Sequence, residues 1–288
     1  MDAISISLAA VAVSITAVLW INRPVRVALA ADPPEGFPAD GFDHDVFEDL
    51  LRRFVADDGR VDYARWHASA NARGALDRYL AAVALYSPVT SPERFGSRAD
   101  ALAYWLYGYH AWVIRAVLSH WPVESVTDVR APLEIVKGLG FFYRLRFPFG
   151  GQYLSLYTVE NRRIRKAFSD PRIHFVLSCA SGSCPAVRPE LPDGEELEAL
   201  LASAAHDFVN DRANVCVDHE RRSIRLNRIF KWYEKDFTNY VQASGRATGR
   251  GLVDYLALIA DEALSRELAQ ARDYAIEFLD YDWDINAC

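Results

Sequence analysis

The residues best suited to chemistry fall in one stretch, RIHFVLSCASGSCP, from Arg172 to Pro185. A short apolar run carries His174 and leads to Cys179 and Cys184. The thiolate is the reactive form of cysteine, so a catalytic thiol needs a base or a positive environment beside it. Cys179 as nucleophile, an imidazole as base and a carboxylate to orient it would make a Cys–His–acid arrangement, suited to hydrolysis or acyl transfer on an amide or ester. The imidazole has two sources in the chain, His174 and His110, and Glu160 is the acid that would orient it. Tyr109, Arg165, Ser181, Ser183 and Cys184 are the neighbours expected to meet substrate, a small molecule or a peptide. Backbone N–H groups of ASGS would stabilise the oxyanion.

Other readings compete. Cys184 precedes Pro185, and proline favours the first turn of a helix, so Cys184 is expected at a helix start whose amides would lower its pKa and make it a rival nucleophile. The SGS between the thiols suits a tight loop, so a reversible Cys179–Cys184 disulfide is a third chemistry, although the spacing is not C-x-x-C. Cys179, Cys184 and His174, with His110, Cys216 or His219 as a fourth, could form a metal set. The pattern matches no zinc ribbon or finger, and no cofactor is expected. The plain reading is structural: free cysteine behaves as a small hydrophobe, Tyr109 and Trp112 read as core, and Glu160 reads as an ion-pair partner of Arg163 or Arg165. Cys216 reads as a core-facing strand residue, and DYDWD at 280–284 as a solvated strand end with Trp283 packed.

The elements that must position these groups read as follows. RIHFVLSCA fits a buried strand by its short apolar run and flanking breakers. On such a strand residues five apart face opposite sides, so His174 reaches Cys179 only if the chain bends after Leu177. ADALAYWLYGYHAWVIRAVLSH is apolar on nearly every face, which predicts a central helix, and Pro122 stops it. VFEDLLRRFVA (capped by Asp43 or Asp45), ALDRYLAAVALY, YTVENRRIRKAF, GEELEALLASAAHDFVND, RIFKWYEKDF and GLVDYLALIADEAL have helical spacing. NVCVDHERRSIRLN reads as a hairpin turning at HERR, residues 123–158 as loops and short strands, and YAIEFLDYDWDIN as a closing strand. The mixture is α+β: a helix-rich single domain with a small, mostly antiparallel sheet.

Of the 288 residues, 51% are hydrophobic, with 7 Trp and 14 Tyr, which supplies a real core and argues against disorder. The net charge of −7, with no basic stripe, disfavours nucleic acid. Four cysteines are too few for a disulfide scaffold. Residues 1–22 hold a hydrophobic segment, ISISLAAVAVSITAVLWI. It reads either as a membrane anchor over 4–21, or as a signal peptide cleaved after ALA at 28–30, which would make the protein exported or periplasmic. The Pro- and Gly-rich linker extends over 23–41, and the domain over 42–288.

Six segments in order are similar to the bacterial and plant DUF547 domain, a family without an established function. They are GRVDY at 59–63, AYWLYGYHAWVI, VENRRIR, HFVLSCASGSCP, IFKWYEKDF and the terminal YDWDIN. Tyr107 and His110 stand where the family usually has Asn, and Asn161 where His is common. If 110 and 161 face one another, the resemblance implies a rewired site. A papain- or transglutaminase-like arrangement would suit a thiol hydrolase, by analogy of residue types, although the chain order of Cys and His differs from those enzymes. The alternative is a non-catalytic module that binds a ligand or protein at the membrane, as attachment to coiled-coil regions in plant members of the family implies.

Overall fold

In the computed structural model, residues 20–134 and 136–288 are described. The hydrophobic segment expected to anchor or export the chain lies almost wholly outside them, and among the described residues no helix is long and apolar enough to cross a membrane. Helices run over Asp45–Phe54 (α1), Tyr63–Ala68 (α2), Ala70–Leu85 (α3), Arg98–His120 (α4), Glu196–Asn210 (α5), Arg228–Trp232 (α6), Glu234–Ala243 (α7), Leu252–Ile259 (α8) and Glu262–Gln270 (α9). The central helix expected from its all-round apolarity is α4, opened by a capping box between Ser97 and Asp100. Every residue from Leu102 to Ile114 is buried. A large side chain of this kind contributes roughly 1.5–3 kcal/mol by leaving water. Two of the helix's buried polar groups find backbone partners: Tyr104 donates to the Val83 carbonyl at 2.8 Å and Trp112 to the Pro148 carbonyl at 3.2 Å.

The α+β class holds, with the strands divided between two small mixed sheets. Val25–Arg26 (β1) pairs parallel with Leu145–Phe149 (β2), which pairs antiparallel with Gln152–Leu154 (β3). Val215–Asp218 (β4) and Ser223–Leu226 (β5) form the expected hairpin, and β5 pairs parallel with Ala275–Phe278 (β6).

RIHFVLSCA is not a strand. Pro171–Phe175 is a 3₁₀ turn with proline at its first position, and the Asp170 side chain accepts from the Arg172 amide at 3.0 Å. An Asp-Pro start outweighs the apolar run, whose hydrophobicity reflects burial on all sides. No helix begins at Pro185. The expected helix in YTVENRRIRKAF exists but widens to a π-helix over Val159–Arg165, and a second π segment covers Leu139–Arg144. GLVDYLALIADEAL divides into α8 and the start of α9, which Asp261 caps. His44 is the N-cap of α1, with no side-chain cap bond.

Beyond β6 the chain runs as an extended strap. It pairs with residues near 124, with the thiol loop and with GRVDY: Ile285 N–H donates to the Glu124 carbonyl (2.7 Å), Gly182 N–H to Asp284 (2.7 Å), Asn286 N–H to Ala180 (3.0 Å) and Val61 N–H to Asn286 (2.9 Å). Gly59 belongs to the same seam. Its φ is +79°, and a Cβ there would lie 2.4 Å from Ala186 Cβ and 2.8 Å from Ala186 Cα. Gly59→Ala must therefore strain its own backbone and push the exit of the thiol loop outward. A destabilisation of about 2–4 kcal/mol in urea unfolding is the expected outcome.

Candidate functional site

The thiols meet in the bend that follows the 3₁₀ turn. Cys179 Sγ lies 2.6 Å from Cys184 Sγ, and both cysteines are free. Ala180 between them has φ +68°, a left-handed conformation that a residue with a Cβ adopts at a cost. The strap holds it there through the Asn286-to-Ala180 bond. Cys184 Sγ is ringed by donors: the Cys179 amide at 3.0 Å, the Ser181 amide, the Cys179 thiol and the Tyr281 hydroxyl at 3.1 Å. Burial alone would push this thiol up. The donors more than offset it and lower the Cys184 pKa to about 7. Cys179 moves the other way, raised by its hydrogen bond to Cys184 and by burial. The helix start expected beside Cys184 is thus replaced by loop amides. The amides of Gly182 and Ser183, expected to hold an oxyanion, donate to the carbonyls of Asp284 and Asp282. Ser181 Oγ is 3.2 Å from Cys179 Sγ, and Ser183 Oγ accepts from the Asp282 amide at 2.8 Å.

Neither histidine shares a hydrogen bond with a thiol. His110 Nε2 accepts from the Ser178 amide at 3.1 Å, and the Val176 carbonyl is the ring's other partner. Burial lowers its pKa to about 4, so it is neutral at physiological pH and acts as a clamp on the chain leading to Cys179. His174 Nε2 donates to Asp236 at 2.8 Å, and its ring stacks on Tyr233 with centroids 3.8 Å apart. Burial holds its pKa down despite the carboxylate. Asp236 also receives Arg165 at 2.8 Å, and the two donors outweigh burial to leave its pKa at about 2. Arg165 bonds Asn161 as well. Glu160 accepts from the Tyr233 hydroxyl rather than from Arg163 or Arg165, and burial raises its pKa. Asn161 is committed to Arg165 and the Tyr157 carbonyl, so it shares no hydrogen bond with His110.

His174, Glu160, Asn161, Arg165, Tyr233 and the two thiols line one cleft of about 370 Å³, whereas His110 and Asp236 stand behind its wall and do not line it. Tyr109 belongs to its wall, as do Tyr143 and Tyr157, stacked at 4.5 Å, and the cluster of Trp232, Tyr281 and Trp283. Tyr143, Tyr157 and Trp232 remain 36%, 45% and 44% exposed, so the aromatic wall is open to a ligand. Cys216 and His219 lie on the β4–β5 hairpin and contribute nothing to it. Among the described residues no cluster of His, Cys, Asp and Glu is placed to hold a metal ion. Sequence reasoning missed Tyr233, Asp236 and Tyr281 as site residues. The signal available was their place in the family-like segments FKWYEKDF and YDWDIN.

Residues 94–209 match the model of a family described as "Protein of unknown function, DUF547", so the resemblance is shown over the stretch carrying the central helix, VENRRIR and both thiols. No curated protein and no solved structure matches the chain.

The buried histidines make the fold acid-sensitive. His44, held by Tyr79 at 2.8 Å, is lowered to about 3 and His110 to about 4, against about 6.5 when unfolded. Between these limits the unfolded chain binds protons that the native state refuses, so stability rises with pH and falls on acidification. From about pH 7 to about pH 5 each histidine removes about 2 kcal/mol. Glu160, pushed up by burial, acts in the opposite sense. In urea unfolding at the two pH values, His110→Gln is expected to lose about 2 kcal/mol less than the wild type on acidification.

Proposed function

We propose that the pair is the centre of a thiol–disulfide exchange protein, with Cys184 as attacking thiolate and Cys179 as resolving thiol. The observation that carries this reading is the asymmetric pair itself: two sulfurs in contact, with two backbone amides and the Tyr281 hydroxyl gathered on Cys184. An attacking thiol works best with a pKa near ambient pH, which is where Cys184 lies. The Cys184 thiolate attacks one sulfur of a substrate disulfide, forms a mixed disulfide and expels the other half as a thiolate. Cys179 then loses its proton and attacks Cys184 Sγ. The Cys179–Cys184 bond forms and the second half leaves as a thiol. Two electrons pass to the substrate, and a small thiol reductant restores the dithiol. The aromatic cleft, reaching both thiols, would receive the substrate, a small molecule or a peptide.

A thiol hydrolase or acyltransferase with Cys179 as nucleophile is supported less well. Its base would be His174 or His110, yet His174 is bonded to Asp236 and His110 to the Ser178 amide. Glu160, the expected orienting acid, serves Tyr233. A non-catalytic binding module keeps the cleft and leaves the low Cys184 pKa unused.

The test is to mix the reduced full chain with a dithiobis-nitrobenzoate reporter and map the cysteines by peptide mass spectrometry. The expected product is a Cys179–Cys184 cross-linked peptide, lighter by two hydrogens. Cys184→Ser should slow reporter release at the pair on the order of a hundredfold, and Cys179→Ser should halt as a mixed disulfide on Cys184. Alkylation of Cys184 should follow a midpoint near 7, well below that of Cys179. Turnover of an activated ester through an acylated thiol, with no cross-link under oxidant, would move the site to the hydrolase class. Inert thiols and tight ligand binding would make it a binding module.

A further inference from the structure

The second half of the exchange raises a question of proton traffic. Cys179 must surrender a proton, and no histidine or carboxylate among the described residues hydrogen-bonds to either sulfur. The hydroxyls that do are Ser181 Oγ, 3.2 Å from Cys179 Sγ, and the Tyr281 hydroxyl, 3.1 Å from Cys184 Sγ and 3.6 Å from Cys179 Sγ. Ser181 is fully buried and touches one sulfur; Tyr281 touches both and lines the cleft by which substrate reaches them.

The geometry points to Tyr281 as a catalytic residue of this centre, its hydroxyl carrying the Cys179 proton to the sulfur that leaves Cys184. The inference rests on the exchange reading. As Cys179 attacks Cys184 Sγ, its S–H bond breaks and the proton passes to the Tyr281 oxygen. The phenolic proton passes in the same step to the departing substrate sulfur. One S–S bond replaces another, Tyr281 ends neutral as it began, and the closing step creates no new charge. Burial and the neighbouring thiols push the phenol far up, so it acts as a relay and never as a standing base.

The placement of the hydroxyl does not depend on the thiols. The Tyr281 ring packs against Trp232 with centroids 4.6 Å apart and against Trp283 at 4.7 Å. The next residue is pinned to the thiol loop by the Asp282 amide on Ser183 Oγ at 2.8 Å. Earlier, Leu279 N–H donates to the Leu226 carbonyl at 2.8 Å and the Leu279 carbonyl accepts from Arg228 at 2.9 Å. The C-terminal strap thus delivers the third functional group of a centre whose thiols lie about a hundred residues earlier.

The experiment follows the reduced full chain in a single turnover with bis(2-hydroxyethyl) disulfide, whose alkyl sulfur leaves as a protonated thiol at neutral pH, quenched in acid and read by mass spectrometry. Tyr281→Phe keeps the ring and removes the relay. The expected result is accumulation of the Cys184 mixed disulfide and closure of the Cys179–Cys184 bond slower by about a hundredfold. Closure at the wild-type rate would overturn the inference. A measurement on the wild type covers the case in which the variant does not fold. In mixtures of light and heavy water, the closing step should give a curved proton inventory, as two transferred protons require, and a straight line would overturn the relay. If the wild type forms no Cys179–Cys184 bond, the exchange reading itself falls. If it does and either relay test fails, only the role of Tyr281 is lost.

Discussion

One buried hydrogen bond, from the Ser178 amide to His110 Nε2, fixes the thiol loop to the central helix. It requires an unprotonated ring nitrogen, which burial within α4 provides. The chain leaving the 3₁₀ turn is therefore held on one side by the buried central helix. On its other side the C-terminal strap pairs with Ala180 and Gly182. Between these two clamps the loop has little freedom, and the left-handed Ala180 and the sulfur contact are consequences of that confinement.

Two separate polar networks meet at the cleft, and a further cation, Lys137, lies over the Trp283 ring at 5.0 Å. One links Asn161, Arg165, Asp236 and His174, with His174 stacked on the Tyr233 that serves Glu160. The other consists of two thiols, two hydroxyls and two amides. The first satisfies its own charges: Asp236 stays ionised because Arg165 and His174 both donate to it. The second has no formal cation, so its one anion, the Cys184 thiolate, depends on oriented dipoles. Amides fixed by the fold need no rearrangement to serve it, which is how a buried thiol falls below its ordinary pKa. The aromatic wall completes the cleft without adding charge, and both π segments supply residues to it, as such bulges do at functional sites.

The sequence by itself determined the class of the fold, the central helix and the β4–β5 hairpin, and it singled out the segment whose His174, Cys179 and Cys184 line the cleft. All-round apolarity from 101 to 118 can only be buried at the centre, and His174, Cys179, Cys184 and Glu160 were legible because reactive residue types stood within family-like segments. Tertiary structure decided the partners. RIHFVLSCA reads as a buried strand, but a short apolar run has no period that would distinguish a strand from a buried turn, and packing and the Asp170–Pro171 start decide for the turn. Asp236 on His174, the Ser178 amide on His110 and Tyr281 on both sulfurs join residues 62, 68 and 97 to 102 positions apart. No local rule couples residues at such distances. A hydrogen bond acts over about 3 Å of space, and spacing along a chain that folds back on itself does not determine it.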